Sequence, residues 1–233
     1  VICETIKQAI CPQKGIATYR LISCDEKTGI QALERHQQRL SAAKGGYLRQ
    51  EFEYVRHGTV GLIAGIDVAS GNLLHYHLGP TRTEQDYLAF IEAQVADLDS
   101  DEKVIFMMDQ LNTHKSASLV RWVAGQIGYT GPLGKKGKEG ILKSQQSRME
   151  FLQRADHDIR FLFTPKHCSW LNPIENWFGR LSKSALKNLS VSSLDGLTQQ
   201  IKAYIDYYNE CLAIPFNWKF DGFQIDRPLK SAI

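Results

Sequence analysis

No stretch of this 233-residue chain approaches the roughly 18 consecutive apolar residues that a membrane-crossing helix needs; its longest apolar runs are of strand length. A membrane partner is therefore not expected. A secretory leader is not expected either, since Val1 to Ile10 carry Glu4 and Lys7 within a helical pattern. The chain opens on Val1 rather than Met, as expected of a processed product or a piece of something longer. Its five cysteines (Cys3, Cys11, Cys24, Cys168, Cys211) are odd in number, and no two have the spacing of a metal knuckle. A reducing, cytosolic setting is the expectation. Charge of one sign is scarce: 28 basic against 25 acidic residues leave a net charge of +3, which permits nucleic acid without arguing for it. What remains, 43% hydrophobic and 23% charged, describes an ordinary globular protein with one good core.

The pattern of elements is mixed. Residues 1–15 read as a short helical extension ended by Cys11-Pro12 and Gly15. A strand follows, closing at Asp25, then an irregular polar connection from Gln31 to Gly46 and an alternating strand from Glu51 to Arg56. Thr59 to Val68 alternates with Val60, Leu62, Ala64, Ile66 and Val68 on one face, and the turn Ala69-Ser70-Gly71-Asn72 leads into Leu73 to Leu78 as a hairpin. Helices are predicted over Thr83–Leu98, Ser116–Gln126, Ser144–Ala155, Trp170–Leu189 and from Leu194 through Tyr208. Lys103 to Asp109 is apolar without alternation, as in a strand buried on both faces, and Ile159 to Thr164 is a further strand. Between Gly131 and Gly140 lie four glycines, a proline and three lysines, read as a mobile basic insertion over about residues 130–145. The expected architecture is α/β, a mixed sheet covered by helices.

Three acids stand at element ends: Asp25 and Asp109 where strands finish, Glu175 where a helix begins. Each has a plain explanation. Asp25 and Asp109 could be turn formers, and Asn172-Pro173-Ile174-Glu175 is close to a capping box with Pro at the first helical position. Together they suggest one site, since ligands gather at the carboxyl ends of strands in such sheets. Two aspartates and a glutamate suit two hard divalent cations about 3.5–4 Å apart, a phosphoryl-transfer arrangement.

The blocks Asp25-Glu26-Lys27-Thr28-Gly29, Asp109 to His114, and Thr164 through Glu175 resemble the three signature blocks of DDE transposases, nearest the bacterial insertion-sequence branch of the mariner-like superfamily. The resemblance runs over roughly residues 17–220, taking in Gly79 to Glu84 and Pro215 to Lys219. It implies a ribonuclease H-like fold with a mixed five-stranded sheet across residues 16–233, and metal-dependent cleavage and joining of DNA at transposon ends. It makes Asp25, Asp109 and Glu175 the catalytic, metal-binding triad for two Mg2+ or Mn2+ ions, with Glu26, Asn112, His114, His167 and Asn172 as supporting residues. Where the family usually has Asn after the second acid, this chain has Gln110. The helix-turn-helix domains that the family places ahead of the catalytic domain have no counterpart in residues 1–15.

DNA, both transposon ends and target, is the implied partner, with a homodimer on DNA in the bacterial cytoplasm, nucleoid-associated when bound. Lys135, Lys136, Lys138 and Lys143 of the insertion, and Arg180, Lys183 and Lys187 spaced three and four apart on one helix, are candidates for phosphate contact. Solvated surface is the plainer reading of both groups. Trp170 and Trp177 read as core anchors. Two alternatives stay open: another ribonuclease H-like nuclease, or a truncated remnant that binds nucleic acid without cutting it.

Overall fold

The computed structural model describes residues 1–12, 19–35, 53–99 and 102–221. Its centre is a five-stranded sheet in the order β3-β2-β1-β4-β5, where β1 is Tyr19–Arg35, β2 Tyr54–Asp67, β3 Leu73–Gly79, β4 Lys103–Met108 and β5 Ile159–Phe163. β1 to β3 form an antiparallel meander, whereas β4 runs parallel to β1 and β5 parallel to β4.

Period-two alternation sends the side chains of each strand to two faces. On one face, Ile22, Cys24, Val104, Phe106 and Met108 pack against α2 (Glu84–Ala96), α3 (Ala117–Gln126) and α4 (Gln145–Leu152) through Tyr87, Phe90, Val120, Val123, Phe151 and Leu152. On the other, Leu62, Ala64 and Ile66 meet α5 (Ile174–Leu181) and α6 (Leu194–Cys211), while Leu21, Ile105 and Met107 meet Ile6 of α1 (Ile2–Ile10). β4 is thus buried on both sides, as its unbroken apolar run predicted. Helix starts follow local chemistry: Thr83, Ser116, Ser144 and Ser193 each accept a backbone N–H in the first turn.

Several boundaries differ from the sequence reading. β1 does not close at Asp25 but continues to Arg35, because Glu26 to Arg35 pair with β2 across two register shifts. Gly29, at φ +66°, supplies the left-handed residue between the shifted pairs Lys27 and Ile30. Gln31 to Arg35 of the expected irregular connection are therefore strand, and its remainder to Gly46 lies outside the described residues, as do the first residues of the expected 51–56 strand. α1 ends at Ile10, and residues 13–15 of the extension likewise lie outside them.

The basic insertion is built rather than mobile. Lys135 N–H donates to the Glu139 carbonyl (3.0 Å) and Leu142 N–H to the Leu133 carbonyl (3.0 Å), closing a small hairpin. Leu142, at 1% exposure, plugs the main core, with Leu133 and Ile141 packed beside it. Composition concealed this because three apolar residues flanking the loop suffice to seat it. Gly134, at φ +80°, lies where an added Cβ would come 2.1 Å from the Glu139 carbonyl oxygen, so only glycine permits the closure.

The helix expected over 170–189 is three pieces: a 3-10 turn Ser169–Leu171, α5, and a π turn Ser182–Leu186. The wider π turn means that Arg180, Lys183 and Lys187 do not stack by α-helical spacing, although all three are exposed. Trp177 is a core anchor at 1% exposure, but Trp170 is not; it is half exposed, its ring edge-on to Phe220.

Candidate active site

Parallel pairing of β1 with β4 stops at Ser23 and Met107, and Asp25 and Asp109 lie immediately past that point on adjacent strands. So Asp25, though in mid-strand, still stands at the carboxyl end of the β1–β4 pair. Its side chain is on the α5 face, like that of Ser23, whereas the next residue, Glu26, is on the α2–α3 face. One stretch of β1 thereby feeds two networks.

The first network fixes Asp25 and the start of α5. Asn172 Nδ2 donates to the Cys24 carbonyl (2.9 Å) and to Asp25 Oδ2 (3.2 Å). The Ser23 hydroxyl donates to Asn172 Oδ1 and accepts from Ile174 N–H (2.9 Å). All of these groups are buried, so each bond satisfies polar atoms that water cannot reach. This replaces the capping-box reading: Asn172 reaches across to β1 instead of capping its own helix, and Pro173 occupies the cap position without a side-chain bond. Asn172 was anticipated as a supporting residue. Ser23 was not, and no local pattern marks it, since its partners are about 150 residues away.

The second network is electrostatic. His114, fully buried, lies between Asp109 Oδ1 (Nδ1, 2.8 Å) and Glu26 Oε1 (Nε2, 3.1 Å) and stacks on Tyr87 with ring centroids 4.4 Å apart. Both ring nitrogens face carboxylates, so only the doubly protonated imidazolium satisfies both. Burial opposes that charge, but the hydrogen bonds to Asp109 and Glu26 outweigh it and raise the His114 pKa to about 10. For Asp109 burial is likewise overcome, by bonds from His114 and Leu111 N–H, and its pKa is lowered. Asp25 behaves oppositely. Burial, with the nearby Asp109 charge adding to it, lifts its pKa to about 7 despite the Glu26 N–H bond.

Glu175 is exposed at the first turn of α5, and its carboxylate makes no hydrogen bond or ion pair with the described residues. Among those residues no three His, Cys, Asp or Glu side chains stand close enough to hold a metal ion together. The structure therefore brings Asp25 and Asp109 together and anchors the helix bearing Glu175 to the same strand, without gathering the third acid. The donor set fits a hard divalent cation: oxygen ligands only, and a buried Asp25 whose charge is unfavourable until a cation compensates it.

Of the other expected supporting residues, Asn112 is exposed and offers only its carbonyl to Lys115 N–H, and His167 is exposed at φ +62°. Gln110 donates to the Thr164 carbonyl (3.0 Å), tying together the loops that follow β4 and β5. Arg148, buried and unmarked by any sequence signal, donates to the carbonyls of Lys115 (2.6 Å) and Leu142 (3.1 Å), so it pins the basic hairpin to the segment behind Asp109. His75 and His77 face Asp97 (2.7 Å) and Asp86 (3.9 Å) respectively. Lys135, Lys136, Lys138 and Lys143 are exposed, with Lys136 3.9 Å from Glu84.

Residues 20–198 match the sequence profile of the DDE superfamily endonucleases. The chain belongs to that family. Among solved structures it is similar to a Mos1 mariner paired-end complex with Mn (14% identity, TM-score 0.53, 88% of this chain and 54% of that one). It is also similar to the Mos1 strand transfer complex (15%, TM-score 0.53, 90% and 53%) and to a pre-cleavage Mos1 transpososome (14%, TM-score 0.55, 90% and 56%). At such identities the likeness is one of fold, and with the strand order above the DDE chain is ribonuclease H-like. It spans about half the length of those Mos1 chains. A comparison with curated proteins finds no match. No helix of the described residues is long and apolar enough to cross a membrane.

Proposed function

We propose that this DDE endonuclease domain is the catalytic core of a DNA transposase, of the bacterial insertion-sequence branch of the mariner-like superfamily. It would cut DNA at element ends and join the freed 3′-hydroxyl to a target. The observation that carries the reading is the Asp25–Asp109 pair at the paired strand ends, within a chain that matches the family over residues 20–198. Asp25, Asp109 and Glu175 would hold two Mg2+ or Mn2+ ions. When bound, such ions supply the charge that activates an attacking hydroxyl and steadies the leaving 3′ oxygen.

The chain's own residues do the positioning. The His114 imidazolium holds Asp109 in place and lowers its pKa, so that this carboxylate is ionised at neutral pH. Asn172 and Ser23 fix Asp25 relative to the start of α5, which sets where Glu175 can reach. Such outer-shell bonds orient ligands. Lys135, Lys136, Lys138 and Lys143 on the anchored hairpin, and Arg180, Lys183 and Lys187 past Glu175, are exposed cations suited to phosphate contact. A homodimer on DNA in the bacterial cytoplasm completes the proposal.

A strand-transfer assay tests it: a labelled DNA with a free 3′-hydroxyl is incubated with supercoiled plasmid, Mn2+ and the chain. Joined product, lost in Asp25→Ala, Asp109→Ala and Glu175→Ala variants that remain folded, is expected. Nicking without joining would favour another ribonuclease H-like nuclease, and joining retained in all three variants would sink the assignment.

A further inference from the structure

Lys115 is an anomaly of the site. It directly follows His114, is 6% exposed, and its ammonium makes no hydrogen bond or ion pair with the described residues. Lysines are almost never so buried without a partner, because the unpaired charge is costly to desolvate. The ammonium is nevertheless not among the polar atoms sealed from solvent, so a ligand can reach it.

Its neighbours sharpen the anomaly. Asp109 is near enough to favour the charge, but that carboxylate already takes the His114 imidazolium at 2.8 Å. Lys166 and Arg148 are near enough to repel it. Arg148 is committed to two backbone carbonyls. Lys166 is exposed, two residues past Thr164, whose N–H and carbonyl are bonded to Met108 (2.8 Å) and Gln110 (3.0 Å). Burial comes first in holding the Lys115 pKa below its ordinary value, and the two cations reinforce it. Three positive groups therefore lie near one another beside Asp109, and among the described residues neither lysine ammonium is hydrogen-bonded or salt-bridged to a carboxylate.

We infer that Lys115 and Lys166 form a phosphate subsite beside Asp109, taking a backbone phosphate of the DNA strand next to the position of cleavage. A phosphate would give both ammonium groups charge-assisted bonds and cancel their repulsion. The inference rests on the reading of this chain as a DNA-cutting enzyme, and adds which residues seat the strand.

The test is DNA binding without chemistry. Fluorescence anisotropy in EDTA, with a 30-base-pair duplex across a series of salt concentrations, gives the affinity and its salt slope. Measurements in an Asp109→Asn background remove any role of Lys115 in merely neutralising Asp109. There, Lys115→Met should weaken binding roughly tenfold and reduce the slope by about 0.9, the loss of one phosphate contact. Lys166→Met, at an exposed position outside the core, should reduce the slope as well. Affinity and slope unchanged by both substitutions would overturn the subsite while leaving the enzyme reading intact. A parent chain that binds no DNA at any salt would overturn both.

Discussion

Replacing His114 with Phe removes one cation from between two carboxylates while keeping a ring against Tyr87. In the wild-type chain the imidazolium makes two charge-assisted bonds, at 2.8 and 3.1 Å, in a place with no solvent exposure, and Glu26 is itself 5% exposed. Removing one partner of such a buried arrangement typically costs about 3–5 kcal/mol. The rise of the His114 pKa from 6.5 to about 10 corresponds, at about 1.4 kcal/mol per unit, to an upper limit of roughly 5 kcal/mol. The two figures agree. Urea unfolding in EDTA should therefore show His114→Phe about 3–5 kcal/mol less stable at pH 6. The sign of the pH dependence follows from the raised folded pKa. The contribution is fully present below about 6.5, the unfolded value, and is lost as pH climbs toward about 10, because the unfolded chain gives up its proton first. The gap between wild type and variant should shrink across that window. A gap under about 1 kcal/mol at pH 6, or one that stays constant from 6.5 to 10, would refute the imidazolium bridge.

Three further outcomes are expected. Asn172→Ala breaks the link between Asp25 and the start of α5, and Mn2+ titration should show affinity down by about 10–100-fold; unchanged affinity would mean that the link does not orient the ligands. Arg148→Met leaves the buried Lys115 carbonyl unpaired, at about 1–3 kcal/mol, and the Leu142 carbonyl with only the Gly137 N–H (3.4 Å), so its unfolding midpoint should fall measurably and the basic hairpin should loosen. Gly134→Ala forces a side chain into left-handed backbone against a carbonyl, costing about 1–3 kcal/mol, and limited proteolysis should then cut between residues 131 and 140 where wild type resists.

Much of this molecule was legible in sequence where the signal is local. The unbroken apolar run of β4 gave away a doubly buried strand, the alternation of β2 and its turn gave the hairpin with β3, and the helix starts expected at Thr83, Ser116 and Ser144 fall on residues that cap their helices. What failed depended on distant partners. Asp25-Glu26-Lys27-Thr28-Gly29 looks like a strand ending in a turn, yet pairing with β2 carries the strand through it. The sequence blocks pointed to Asp109 and His114 separately, but the bridge to Glu26 exists only because β1 outruns β4 and passes under the 3-10 turn Thr113–Lys115. Glycine and lysine content hid the seated hairpin, whose order comes from Leu142 and a buried Arg148. Ser23 and Arg148, two of the residues that hold the site together, carry no sequence signature at all.

The central claim is that Asp25 and Asp109 are the metal-dependent cutting centre of this chain. The direct test is nicking of supercoiled plasmid with Mg2+ or Mn2+, comparing wild type with Asp109→Asn, each shown to be folded. Nicking by wild type should stop in EDTA and be lost in the variant. Nicking by Asp109→Asn at the wild-type rate would contradict it.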